Sequence, residues 1–325
     1  MGRGQGLYCA FEYACHPDAS RDPEYRSRRW SVFLDSGLSR NDSLETLEIL
    51  DTPHIAFVGA GNMASSIIGG LLESGHPAER ISAADPFQES LERLRQVAPV
   101  NTFTDNAGAV AAADVVILAI KPQVMAEACA SISRAVADSG ALVISIAAGI
   151  TIASMQARLG DGTAIVRCMP NTPALLGCGA TGLFANEQVS SEQRGFADSI
   201  LSAVGTTCWV DSEQALDAVT ALSGSGPAYF FLFMEAMVDA GQALGLERAT
   251  SEQLALQTAL GAARMALEND VDLVELRRRV TSPGGTTQAA IESFEAQGLR
   301  TLVTDAMQAA ADPVSYTHLR AHETI

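Results

Sequence analysis

Two stretches of the chain concentrate groups that hold anions. The first is Gly59-Ala60-Gly61-Asn62-Met63-Ala64, a G-x-G-x-x-A pattern placed directly behind the apolar run Ile55–Val58. Its glycines permit a tight turn and close backbone approach, Ala64 keeps the following helix near the strand, and the helix N-terminus offers free N–H groups to a pyrophosphate. About twenty residues on, Ile81-Ser82-Ala83-Ala84 ends at Asp85, where a dinucleotide fold places the acid that meets the adenosine ribose; a turn aspartate before Pro86 is the plainer reading. The second stretch is Ser282-Pro283-Gly284-Gly285-Thr286-Thr287, followed by the helical pattern Gln288-Ala289-Ala290-Ile291-Glu292. Hydroxyls, glycines and a new helix N-terminus together make a donor pocket suited to a carboxylate without any arginine. The local alternative is an ordinary capping turn with Thr286 or Thr287 as the N-cap. Of the 21 basic residues Lys121 alone is a lysine, so any step needing a lysine amine falls to it.

The elements that must position these groups are legible from Pro53 onward. Ile55–Val58, Ile81–Ala84, 114–120 and 141–146 are apolar and partly β-branched, as strands buried on both faces should be, and helical patterns lie between them. The expected architecture is an N-terminal Rossmann-type doubly wound parallel sheet with right-handed crossovers, and ligands in such sheets lie beyond the carboxyl ends of the strands. Those ends are Gly59 to Met63, Asp85, Asn106, Ala119 to Pro122 and Ala147 to Gly149. Further strands are expected at 164–167, 181–185 and 206–210. The proline-rich 168–174 is expected to be a shaped loop. Past Glu213 the period is helical, with candidates at 214–222, 227–244, 251–269 and 271–280. Helices apolar over more than one face, notably 229–245 and 254–267, suit burial against a partner subunit or in a deep core. The division is therefore 1–52, an extension outside the fold; 53–212, a dinucleotide-binding Rossmann domain; 213–312, an all-helical dimerisation and substrate domain; and 313–325, a tail of foreign, adapter-like character.

Composition narrows the function. A net charge of −17 argues against nucleic acid and anionic membrane surfaces, and no apolar run reaches the length of a membrane span. The six cysteines form no CxxC pair, which points to reduced thiols in a cytoplasm and to no metal site. Residues 1–52 lack the continuous apolar segment of a signal peptide, and their acids count against a transit peptide.

With these stretches in view the chain, from about Pro53 to about Ala311, resembles the pyrroline-5-carboxylate reductases, the last enzymes of proline biosynthesis. The resemblance rests on FVGAGNMA from Phe57, LAIKPQ from Leu118, SIAAGI from Ser145, RCMPNTPALLGCGATGL from Arg167, DAVTALSGSGPAYFF from Asp217, and above all RRVTSPGGTTQAAIESFEAQG from Arg278. It implies helices that interlock in a homodimer, assembled further in many members into a decamer, and NADPH or NADH as cofactor. Carried over by position, Val58, Gly59, Ala60, Gly61, Asn62 and Met63 hold the pyrophosphate. Asn106, Ala119, Ile120, Lys121 and Pro122 border ribose and nicotinamide, Ala147 and Ala148 line the ring, and Arg279 also touches cofactor. The substrate carboxylate meets Ser282, Thr286 and Thr287, with the Thr287 hydroxyl near the ring nitrogen of 1-pyrroline-5-carboxylate. Glu213 sits at a position associated with proline.

The implied chemistry suits the residues. Hydride transfer to a protonated cyclic imine needs positioning more than a strong protein acid, so the site is expected to use no catalytic His, Cys or metal. The sequence departs from the family twice. Asp85 would repel the extra phosphate of NADPH and favour the ribose hydroxyls of NADH, and from Asp312-Pro313 the pattern breaks off, which would cut the last helix short. Two rivals stand beside this reading. A β-hydroxyacid dehydrogenase would carry a lysine on the helices joining its domains, and 217–244 has none. A dinucleotide-binding protein without turnover would have no need of the Ser282–Thr287 pocket.

Overall fold

The structure, a computed structural model, describes the backbone of residues 52–323 and the side chains of residues 52–312. The reading of residues 1–52 as an extension therefore lies, apart from Thr52, outside the described residues. Eight strands form one sheet in the order β3-β2-β1-β4-β5-β6-β7-β8: β1 Ile55–Val58, β2 Ile81–Ala84, β3 Asn101–Phe103, β4 Val115–Leu118, β5 Leu142–Ser145, β6 Ile165–Met169, β7 Gly179–Ala185 and β8 Gly205–Trp209. The chain builds outward from β1 through β2 and β3, then returns to lay β4 on the other side of β1. The direction of winding reverses between β1 and β4, and a crevice opens at their carboxyl ends.

Six helices cover the sheet: α1 Asn62–Glu73, α2 Gln88–Val97, α3 Asn106–Val110, α4 Met125–Ser139, α5 Ile152–Leu159 and α6 Ser191–Ser202. Successive strand residues point to opposite faces. Ile55, Phe57, Val115 and Ile117 pack with Ile67, Ile68 and Leu71 of α1, Leu91 and Leu94 of α2 and Ile200 and Leu201 of α6. Ala56, Val58, Val116 and Leu118 pack on the other face with Ile132 and Val136 of α4 and Met155 and Leu159 of α5. Every one of these strand residues is at most 1% exposed, and each large one contributes roughly 1.5–3 kcal/mol by leaving water.

The sheet departs from the expected all-parallel form at one pair. β7 runs antiparallel to β6, with Val166 opposite Ala185 and Met169 opposite Gly182. The reason lies in the connection, 170–178. A parallel crossover needs a dozen or more residues, and Pro170 and Pro173 prevent a full helix there. The segment expected as a shaped loop at 168–174 consists of the end of β6 followed by a 3-10 helix, Thr172–Leu176, which turns the chain straight back. β8 then resumes parallel pairing with β7 through α6.

Beyond β8 the described elements are helical: α7 Ala215–Val219, a π turn at Thr220–Gly224, α8 Gly226–Ala243, α9 Arg248–Glu268, α10 Leu273–Arg279, α11 Thr286–Ala296 and α12 Leu299–Glu323. The backbone of α12 stays helical across Asp312-Pro313, so the expectation of a last helix cut short is corrected. α8 and α9 pack on each other, and Gly241 permits it: a Cβ there would stand 2.7 Å from Ser251 Oγ. Their outer faces are apolar and open, with Phe230, Phe231 and Leu232 each about two-thirds exposed at 69%, 65% and 66%. Surface of that kind marks an interaction site. Among the described residues no helix is long and apolar enough to cross a membrane.

Candidate active site

The first stretch folds as its glycines require. Gly59 has φ +101°, and its N–H donates to Ala84 O at 2.7 Å. A Cβ there would meet the Ala119 carbonyl oxygen at 2.4 Å, so only glycine lets β1 and β4 close at the crevice. Gly61 is the N-cap of α1 and no side chain caps it, which leaves first-turn N–H groups at Asn62 and Met63 facing outward for an anion. Nothing lies within 4 Å of a Cβ built on Gly61, the open side from which a pyrophosphate can approach. These features fit a dinucleotide.

Around this turn the structure gathers most of the expected cofactor residues. Val58 is buried at the end of β1, and its carbonyl accepts from Ala119 N at 2.8 Å. Ile120 and Lys121 follow β4, and Pro122 opens a short 3-10 helix; Lys121 is exposed. Asn106 begins α3 behind the Asp105 cap, its Nδ2 donating to Ser131 Oγ at 3.0 Å. Ala147 is buried, and Ala148 is exposed just before Gly149, whose φ is +75°. Asp85 stands at the end of β2, but it is not idle. Ala60 N–H donates to its Oδ2 at 3.0 Å and Phe87 N–H to its Oδ1 at 2.9 Å, so the carboxylate is fixed beside the glycine turn.

The second stretch lies on the helical side. Gly285, not Thr286 or Thr287, is the N-cap of α11, which removes the capping-turn alternative. Among the described residues no hydrogen bond engages the hydroxyls of Ser282, Thr286 or Thr287, and all three residues are exposed. The loop is held from behind: Gly284 has φ +69° and donates its N–H to Gln288 Oε1 at 2.7 Å, and Gly285 N–H donates to Ser282 O at 3.0 Å. Free hydroxyls over an uncapped helix N-terminus can hold a carboxylate. Arg279 ends α10 and donates to Glu275 Oε1 at 2.9 Å. Hydrogen bonds from Arg278 and Arg279 hold the Glu275 carboxyl down at about 2.

One expected site residue is not brought to this stretch by its bonding. Glu213 is engaged on the sheet side, accepting from Arg167 Nη1 and from Ile152 N. Asn171, buried beyond β6, donates to Ser223 O of the π turn at 3.0 Å and accepts from Ala180 N at 2.9 Å, linking sheet to helices. Sequence reasoning passed over Arg167, Asn171 and Gln288. The signals were present: a charge inside an apolar strand, an asparagine between two prolines, and a glutamine four residues after a glycine.

Burial raises the Cys129 thiol to about 11 and pushes Cys168 higher still, so both stay protonated, whereas Cys178 and Cys208 are exposed. A thiol reagent applied to the native protein at neutral pH is expected to label Cys178 and Cys208 within minutes and to spare Cys129 and Cys168 until the fold is opened. Mass mapping reads the outcome; early modification of Cys168 would contradict it.

A doubly wound sheet with a glycine turn at its reversal point, joined to a helical half with unbonded hydroxyls at a helix N-terminus, defines a nicotinamide-dinucleotide oxidoreductase. Residues 54–149 match the family model described as NADP oxidoreductase coenzyme F420-dependent, and residues 213–315 the one described as pyrroline-5-carboxylate reductase dimerisation. The chain belongs to the pyrroline-5-carboxylate reductase family. The reductase of Pseudomonas aeruginosa is 55% identical over 262 residues, covering 81% of this chain and 96% of its own, and that of Haemophilus influenzae is 48% identical over 256 residues, 78% and 94%. The structure of the Coxiella burnetii reductase superposes with a TM-score of 0.80 at 44% identity, over 82% of this chain and 99% of that one. The Plasmodium falciparum reductase, solved with NADP bound, gives 0.71 at 29%, over 82% and 98%. With that dimerisation domain the chain self-associates, which accounts for the open apolar faces of α8 and α9.

Proposed function

We propose that the chain reduces 1-pyrroline-5-carboxylate to L-proline. The observation that carries this reading is the Ser282–Thr287 pocket, with its hydroxyls unbonded and its helix uncapped, in the same chain as the glycine turn between β1 and β4. When bound, the reduced nicotinamide supplies a hydride that ends on C5 of the imine, whose protonated nitrogen becomes the amine of proline. The chain's own residues hold and orient. First-turn N–H groups of α1 take the pyrophosphate, Val58 to Met63 shape that turn, and Asp85 accepts from the adenosine ribose. Asn106, Ala119 to Pro122, Ala147, Ala148 and Arg279 border the rest of the cofactor. Ser282, Thr286 and Thr287 hold the substrate carboxylate, and the Thr287 hydroxyl orients the ring nitrogen.

The division falls at 53–212 and 213–312, and we read residues 313–325 as foreign. α11 packs chiefly against α12 of its own chain. That placement supports an interlocked dimer in which the pocket of one copy serves the crevice of its partner, and dimers assembling to a decamer. The absence of a spanning helix among the described residues and the net charge of −17 support a cytoplasmic setting without nucleic acid.

The test is the initial rate of NADH and NADPH oxidation with pyrroline-5-carboxylate for the wild type and Thr287→Ala. Thr287 is exposed and unbonded, so the fold is expected to survive. Loss of a hydrogen bond to a charged group, worth about 1.5–3 kcal/mol, is expected to lower kcat/KM by about 10- to 150-fold. Cofactor binding without turnover on either nucleotide would sink the enzyme reading, and an unimpaired Thr287→Ala would sink the pocket.

A further inference from the structure

The least conspicuous charges in the sheet meet at one oxygen. Arg167 lies in β6, where its side chain is 5% exposed, and it stands beside Ser145, the last residue of β5. A guanidinium buried there is tolerable only with a charged partner. That partner is Glu213, from the connection between β8 and α7, whose Oε1 accepts from Arg167 Nη1 at 2.6 Å. The same Oε1 accepts from Ile152 N at 2.7 Å. Ile152 is the first residue of α5, so the carboxylate also sits at the positive end of that helix. One atom thus ties together a central strand, the start of α5 and the entry to the helical half.

What these ties enclose is the segment 146–151. It leaves the sheet at Ser145, the strand neighbour of Arg167, and ends at Ile152, held by Glu213. Between them Ile146 N–H donates to Leu118 O at 3.2 Å, Ala147 is buried, Ala148 is exposed, and Gly149 takes a left-handed turn. One end of the segment is therefore set by strand pairing at Arg167 and the other by the bond to Glu213, and the ion pair joins these two holders. We propose that Arg167 and Glu213 are positioning residues that set the height of the Ala147–Ala148 backbone under the nicotinamide, and that Glu213 acts through this loop. The inference rests on the reading of Ala147 and Ala148 as ring-lining residues. Glu213 Oε1 is shared by a guanidinium and a helix N–H, so removing the carboxylate frees both, and displacing a ring-bearing loop by a fraction of an ångström misaligns hydride transfer directly.

The experiment compares Glu213→Ala, Glu213→Gln and Arg167→Lys with the wild type in the full-length protein, measuring kcat, KM for each reactant, inhibition by proline and NADH affinity by fluorescence. Glu213→Ala is expected to lower kcat by about 10- to 100-fold and raise the KM for NADH several-fold, with the KM for the imine shifting less than about twofold. Glu213→Gln, which keeps an acceptor for Ile152 N, recovers part of the loss. A rise in imine KM and weaker proline inhibition with NADH affinity unmoved would overturn the proposal in favour of substrate contact, and unchanged kinetics would overturn it outright. Should the single variants fail to fold, the double variant Arg167→Met/Glu213→Gln removes both charges together. The kcat loss is expected to persist in it, and a return to wild-type kcat would overturn the proposal. If the wild type binds NADH but turns over no imine, the parent reading fails on its own, while a several-fold weaker NADH affinity in Glu213→Ala still supports the positioning role.

Discussion

Gly59→Ala is expected to lose nucleotide binding by about 100-fold or more and to melt roughly 5–15 °C below the wild type. A side chain at φ +101° is strained whatever surrounds it, and here the added Cβ would stand 2.4 Å from Ala119 O and 2.9 Å from Ala119 C and Ile120 Cγ2. Neither strand can recede. Ala119 N is bonded to Val58 O at 2.8 Å and Gly59 N to Ala84 O at 2.7 Å, with Phe57 and Ile117 locked beneath them at 0% exposure. The turn must change shape, carrying the N-terminus of α1 with it, at a cost of about 2–4 kcal/mol. Gly61→Ala is the control. With nothing within 4 Å of its Cβ and φ of −77°, it is expected to keep the wild-type melting temperature and to weaken only nucleotide approach. Titration with NADH and thermal unfolding by circular dichroism separate the two; a Gly59→Ala protein that binds NADH normally would show that the turn is not the nucleotide site.

The second large effect concerns the adenosine end. The wild type is expected to prefer NADH, and Asp85→Asn is expected to shift the ratio of kcat/KM for NADH to that for NADPH about 10- to 100-fold toward NADPH. Asp85 cannot swing away from a 2′-phosphate, because Ala60 N–H and Phe87 N–H each hold one of its oxygens. Residues 85–92 add Glu89 and Glu92 and no Arg or Lys to offset the repulsion. Like charges placed together at a desolvated contact cost several kcal/mol, and the hydroxyls of NADH meet no such penalty. Asparagine removes the charge and keeps one acceptor for Ala60 N–H. An unchanged ratio would mean that the ribose lies elsewhere.

What could be read from the residues alone was whatever local chemistry decides. β1, β4 and β5 were legible because Ile, Val and Leu in unbroken runs suit strands covered on both faces, and Gly59 because a strand that ends in G-x-G must turn there. β3 was not, since Asn101-Thr102-Phe103 is too short to show a period. α6 announced itself through the Ser190–Gln193 capping box, a signal passed over. The reversed direction of β7 followed from the length of 170–178, a tertiary constraint that no periodicity carries. In the candidate site the hydroxyls were visible as a cluster, but which residue caps α11 depended on backbone geometry at Gly285. The engagement of Glu213 with groups 46 and 61 positions away lay beyond any local pattern.

The open phenylalanines of α8 bear on how the protein comes into being. Phe230, Phe231 and Phe233 lie outside both buried clusters that hold the sheet together, on a helix whose described packing is mainly against α9. Self-association through this domain covers surface that one copy leaves open, so the stability of the helical half depends on how many chains are present. Until that association the aromatic row is equally available to unrelated chains in the same condition, and the yield of enzyme is settled by a race between correct pairing and coalescence.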